Sequence, residues 1–188
     1  MKKFLKETYG YIIIIVAVII VRTFIITPVV VDGPSMEDTL YDNELLLLNK
    51  ISYSFQDIKR YDIIVIEEGN EKIIKRVYGL PGEKIEYKNN KLYINDQETE
   101  DNYATNETSD FTLKDICAAS LKKNEIVTEE DIDEKCQDDK IPQDYYLVLG
   151  DNRKVSADSR YYGLIPKSSI VGKVSIRFWP LNKLGIID

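Results

Sequence analysis

Histidine is missing from all 188 residues of the chain. A serine hydroxyl is a weak nucleophile at neutral pH and needs a neighbour to take its proton, a task that usually falls to histidine. Without that residue the Ser-His-Asp and Cys-His arrangements are excluded, as are the usual histidine-bearing catalytic metal sites. Cysteine is scarce as well: Cys117 and Cys136 are the only two, and they show no metal-ligand spacing. A cationic surplus is also lacking. The formal charge is −7, whereas a nucleic-acid-binding protein needs a positive surface to replace condensed counterions. Long amphipathic helical patterns are hard to find, and there is no internal repeat.

What is present begins with Lys2, Lys3 and Lys6, followed by Tyr11 to Val21 without a polar residue, Arg22-Thr23, and a second apolar stretch from Phe24. The 18 residues from Tyr9 to Ile26 would extend roughly 27 Å as a helix, close to the thickness of a bilayer's hydrocarbon core. Arg22 is tolerable near a headgroup layer, where its guanidinium snorkels outward, and Pro28 is expected to end the helix. This gives a single transmembrane anchor over 9–27, a cytoplasmic N-terminus over 1–8 by the positive-inside rule, and an extracytoplasmic domain over 28–188. The rival reading is a cleaved secretory signal peptide, but bulky Val29, Val30 and Val31 stand where small residues would mark the cut.

From Asp32 onward 157 residues remain, enough for a core of their own. Short runs rich in β-branched and aromatic residues recur at Leu45–Leu48, Ile63–Ile66, Ile73–Tyr78, Lys84–Tyr87, Leu92–Ile94, Tyr145–Leu149 and Val171–Trp179, and they are expected as strands. Asn89-Asn90 reads as a hairpin turn. The expected fold is mainly β and antiparallel, interrupted by an irregular or helical acidic insert over about 101–144. That insert carries 13 acidic and 5 basic residues, a net −8, which leaves +1 for the rest of the chain. Short helices are expected in it at Phe111–Leu121 and Thr128–Lys135. It also holds both cysteines. Outside the membrane a disulfide between Cys117 and Cys136 is permitted, and two free buried thiols is the other possibility.

With histidine gone, lysine is the remaining candidate base for a serine. Ser35 lies in Gly33-Pro34-Ser35-Met36, and Lys75 lies in Ile73-Ile74-Lys75-Arg76-Val77-Tyr78. Taken singly, Ser35 is an ordinary turn residue and Lys75 an ordinary edge-strand charge. Period-two alternation, however, sets Lys75 on the same face as Ile73 and Val77, where desolvation favours the neutral amine. To be mostly neutral near pH 8 the amine must drop about two units, or roughly 3 kcal/mol of differential solvation. Arg76 falls on the opposite face, which keeps the two charges apart.

These residues carry a resemblance. Gly33-Pro34-Ser35-Met36-Glu37-Asp38-Thr39-Leu40 resembles the serine box of the type I signal peptidases, and Tyr61 to Val65 their central strand. Lys75 to Glu83 resembles the lysine box, and Gly150-Asp151-Asn152-Arg153-Lys154-Val155-Ser156-Ala157-Asp158-Ser159-Arg160-Tyr161-Tyr162-Gly163 the last box. The short chain with one anchor looks most like the Gram-positive branch. The insert carries no family motif.

The resemblance implies the β-rich fold shared with LexA-like self-cleaving proteins and a membrane-bound serine endopeptidase that needs neither metal nor cofactor. Its partners would be signal-peptide-bearing preproteins, cut after small residues, and the lipid bilayer. Ser35 is the implied nucleophile and, through its backbone N–H, an oxyanion donor; Lys75 is the base; Ser156 orients the lysine amine. Gly33 stands where some relatives place a hydroxyl donor. Arg76, Asp151, Asp158 and Arg160 are implied as structural support, with Asp151 and Asp158 pairing the two arginines. Val29, Val31, Met36, Leu40 and Ile74 match positions for shallow substrate pockets and are equally compatible with ordinary core. Asp38 stands where the family commonly has proline. Ser35 follows Thr27 by eight positions, which keeps it within about 30 Å of the membrane even on an extended tether. Trp179, near the C-terminus, is expected either at the lipid interface or in the core. Two alternatives remain at this level: a catalytically idle relative that assists assembly of surface structures such as pili, and a peptidase dedicated to a few clients such as pilins.

Overall fold

The computed structural model describes residues 2–20, 22, 25–121, 136 and 139–187. A helix, α1 (Lys2–Ile20), leads into strand β1 (Ile26–Val30). Strand β2 (Leu45–Asn49), a one-turn helix α2 (Ser52–Phe55), β3 (Ile63–Glu68) and β4 (Glu71–Gly79) follow. A second group comprises β5 (Ile85–Lys88), β6 (Lys91–Ile94), β7 (Gln97–Thr99), β8 (Phe111–Thr112) and α3 (Leu113–Leu121). The chain closes with β9 (Tyr145–Leu149), α4 (Ser159–Tyr162), β10 (Ile165–Pro166), β11 (Ile170–Trp179) and β12 (Gly185–Ile186).

All pairings among the described residues are antiparallel. One sheet runs β1-β2-β11-β3-β4-β9-β10 with β12 added to β11, and the other runs β7-β6-β5-β8. The continuous apolar run Ile63–Ile66 follows from its place in the middle of the larger sheet. Ile63 and Val65 pack in one cluster with Met36, Leu40 and Leu46, while Ile64 and Ile66 pack on the other face with Val77 and Val148. A strand covered on both faces has no polar side to show. The smaller sheet keeps the alternating pattern, and its Ile85, Tyr87 and Leu92 share a third cluster with Tyr78, Leu147 and Leu149 of the larger one. Asn89 and Asn90, at φ 52° and 60°, make the two-residue turn whose left-handed backbone suits the twist of a β5–β6 hairpin.

Several expectations need correction. Ile26 and Thr27 are not helical but begin β1, and Pro28 sits in that strand opposite Leu47. Pro28 lacks an N–H and is tolerated because β1 is an edge strand. Lysines occupy the first turns of α1, and no helix among the described residues is long and apolar enough to cross a membrane. The region expected as a helix from Phe111 opens with the two residues of β8 before α3 starts. The expected helix at Thr128–Lys135 lies outside the described residues. Of the two possibilities left open for the cysteines, the disulfide is the one formed: Cys117 and Cys136 are joined with Cα atoms 6.4 Å apart, within the ordinary span for such a bond. Trp179 is half-exposed at 49% rather than a core residue.

Candidate active site

Two segments of chain bring the site together. Ser35 lies in the turn after Gly33, whose φ of +85° suits a residue without a side chain. Lys75 comes from the middle of β4, paired across the sheet with Ile64. Lys75 Nζ donates to Ser35 Oγ at 2.8 Å and to the Ile74 carbonyl at 3.1 Å. The lysine is only 4% exposed, with Ile73 and Val77 buried or half-buried on its own face. Burial pulls its pKa down to about 8, against the pull of Asp158 and Asp151, which favour the charged form. No carboxylate forms an ion pair with it among the described residues.

Beside this pair opens a cleft of about 340 Å³, walled by Val30, Val31, Asp32 and Met36 on one side and by Glu71 to Lys75 on the other. Of the expected pocket residues, Val31, Met36 and Ile74 line it. Leu40 and Val29 do not. Leu40 is fully buried in the cluster behind Met36, and Val29 packs against that same cluster, because the turn after Ser35 directs Leu40 inward. The edge of β4 that faces the cleft is open: β9 pairs only with Arg76 to Gly79, so among the described residues Glu71 to Lys75 have no strand on that side.

The last box wraps the serine from behind. Asn152 N–H donates to the Ser35 carbonyl at 3.1 Å. Gly150 lies so close that a Cβ there would collide with Ser35 O and Ser156 Oγ. The bond expected between Ser156 and Lys75 is not formed. The Ser156 hydroxyl lies against the Gly150 backbone without a hydrogen-bond partner among the described residues, while the amine is already engaged by Ser35 and Ile74. The Ser35 N–H, for its part, has no partner among the described residues.

Support comes from two ion pairs. The Arg76 guanidinium grips Asp151 with Nε at 3.0 Å and Nη2 at 2.8 Å, stacks 3.7 Å from the Tyr103 ring centroid, and donates from Nη2 to Thr39 Oγ1. The Thr39 hydroxyl in turn donates to Asp151 at 2.6 Å, so Thr39 ties the serine box to both the lysine box and the last box. Asp158 caps α4, accepts two bonds from the Arg160 side chain and accepts the Gly150 N–H. Thr39 joins the site without a signal of its own in the sequence, although it stands in the serine box. Asp101 and Arg153, the second of them in the last box, likewise pair with each other without a sequence signal that singles them out.

The antiparallel β fold thus holds Ser35 against the buried amine of Lys75 beside an open strand edge. The pattern of the family described as signal peptidase, peptidase S26, matches residues 4–179. Signal peptidase IB of Staphylococcus aureus (strain Mu50) is 37% identical over 192 residues, covering 97% of this chain and 93% of the relative. Signal peptidase I of Streptococcus pneumoniae (strain R6) is 36% identical, covering 98% and 97% respectively. A solved signal peptidase I from Enterococcus faecalis V583 is 33% identical, covers 63% of this chain and 97% of its own, and superposes with a TM-score of 0.47. The chain belongs to the signal peptidase S26 family and is a serine endopeptidase of that type.

Proposed function

We propose that this protein is a membrane-bound endopeptidase in which Ser35 and Lys75 form a catalytic dyad that cleaves signal peptides from exported preproteins after small residues. The observation that carries the proposal is the 2.8 Å contact between Lys75 Nζ and Ser35 Oγ. When the amine is neutral, the direction of that bond reverses and the hydroxyl proton moves to nitrogen as Oγ attacks the scissile carbonyl. The free Ser35 N–H would then donate to the oxyanion. Gly33 supplies no second side-chain donor. The lysine ammonium returns its proton to the leaving amine, and an acyl-enzyme remains. The neutral amine next deprotonates water, which hydrolyses the ester and frees Ser35. Each step needs only one proton acceptor, and neither a metal nor a cofactor is required.

The open edge of β4 suits a peptide added as an extra strand, whose alternate side chains face one wall. Val31, Met36 and Ile74 make that wall shallow and apolar, which favours small residues at the first and third positions before the cut. Leu40 and Val29 act only as backing.

The membrane reading rests on α1. From Tyr9 to Ile19 its large apolar side chains, Ile12 to Ile15 among them, are exposed, and a helix that is apolar all round needs cover from protein or lipid. Lipid would provide it, with Lys2, Lys3 and Lys6 on the cytoplasmic side and the sheets outside. Half-exposed Trp179 and exposed Leu181 offer further contact with the interface.

The full chain in detergent, incubated with a labelled preprotein, should produce one new N-terminus. Ser35→Ala and Lys75→Ala should each abolish that product, and chelators should leave it unchanged. Full activity in either variant would refute the dyad.

A further inference from the structure

Arg153, outside the dyad, is a buried charge only 2% exposed. Its Nη2 meets Asp101 at 2.6 Å, and its Nη1 donates to Thr108 and Tyr87. The remaining nitrogen, Nε, donates to the Gly150 carbonyl at 2.9 Å. Asp101, the first residue of the acidic insert, also accepts the hydroxyls of Tyr78 at 2.7 Å and Tyr87 at 2.5 Å. Burial works against its ionisation, yet the Arg153 guanidinium and the two hydroxyls hold its pKa below the usual carboxylate value.

We infer that Asp101 is a positioning residue for catalysis, acting through Arg153 and Gly150 on the backbone of Ser35. The chain of contacts is short. Asp101 fixes the guanidinium, Arg153 Nε fixes the Gly150 carbonyl, and the Gly150–Asn152 backbone lies against Ser35, with the Asn152 N–H donating to its carbonyl. A carboxylate outside every recognisable motif thus helps set where the nucleophile sits. Without it, a buried guanidinium loses its counter-charge and must move toward water or a new acceptor, and the Gly150 carbonyl moves with it. A displaced nucleophile lowers turnover far more than substrate binding, since a shift of about 1 Å in a reacting group can cost on the order of 100-fold.

The inference rests on the Ser35–Lys75 reading, and the test keeps the two apart. Asp101→Asn and Asp101→Glu would be compared with wild type and with Glu98→Gln, which removes an exposed pair with Lys91 on the smaller sheet. Turnover of a labelled preprotein by the full chain, thermal melting, and hydrogen exchange at the Asn152 amide would all be measured. Asp101→Asn should lower kcat about 10- to 100-fold with KM within about 3-fold and speed exchange at Asn152 while the β3–β4 amides stay protected. Asp101→Glu should recover part of both, and Glu98→Gln should match wild type. The inference is overturned by unchanged kcat, by a change in KM alone, or by faster exchange spread evenly through both sheets, which marks a purely structural role. Should wild type itself lack turnover, the dyad reading fails, and exchange at Asn152 alone decides the positioning role.

Discussion

Lys75 and Arg76 are consecutive on β4, face opposite sides of the strand, and are both buried, at 4% and 0% exposure. Their surroundings differ completely. Arg76 has a fork of bonds to Asp151, a carbonyl, a hydroxyl and an aromatic face. Lys75 has one hydroxyl and one carbonyl, and no carboxylate in contact. A buried charge that is fully partnered stays charged and serves as scaffold, while one left without a counter-ion can give up its proton. On the proposed reading, the same strand builds both the frame and the base.

The sharpest way to break this contrast is on the Arg76 side. Asp151→Ala strands a guanidinium that has no exposure to water, and removing one partner of a buried pair typically costs about 3 to 5 kcal/mol. The denaturant midpoint should fall with little change in slope. Because Asp151 also favours the charged form of Lys75, the pH–rate midpoint of whatever folds should move down. Stability close to wild type would mean that Arg76 finds another anion.

Lys75 gives the opposite sign. Its pKa of about 8 lies below the ordinary value near 10.4, so turnover should climb as pH rises through 8 and then level off. The same shift is a stability cost. The unfolded chain binds the proton more tightly, so the folded state is penalised fully below pH 8, and the penalty disappears as pH rises toward the unfolded value. Lys75→Met, similar in shape and uncharged, should be inactive yet more stable by about 2 kcal/mol at pH 7, with the gain shrinking above pH 8. Melting curves across that range provide the check. Destabilisation at neutral pH would show that the amine is better solvated than its burial implies.

This contrast also explains how far the chain could be read in advance. The seven longer strand runs were legible because β-branched residues between turn formers leave a local mark. β1 was not. Its residues follow the apolar stretch of α1 with only Arg22 and Thr23 as a polar break, and an apolar run so placed reads as a continued helix as readily as an edge strand. The two- and three-residue strands β7, β8, β10 and β12 are defined by their partners and are too short for any period. In the site, Ser35 and Lys75 stood out because the absence of histidine left so few bases. Leu40 could not be told from Val31, since in a turn the direction of a side chain depends on backbone angles that the sequence does not display. Asp101 was hidden among the 13 acids of the insert; only the fold sets it apart, by placing two tyrosine hydroxyls and a buried arginine around it.

The smallest expected effect concerns Ser156, whose buried hydroxyl has no partner among the described residues. Removing an unsatisfied polar group restores nothing to water but ends its desolvation penalty, so Ser156→Ala should change stability by no more than about 0.5 kcal/mol. The pH–rate profile gives a finer test. A hydroxyl that accepted a bond from the ammonium would favour the charged amine, and its loss would lower the midpoint. Since Lys75 here is bonded to Ser35 and Ile74 instead, the midpoint should stay near 8. A midpoint that falls by half a unit or more, with melting unchanged, would show that Ser156 turns to the amine during the reaction and that the lysine side of β4 has more polar support than its resting contacts display.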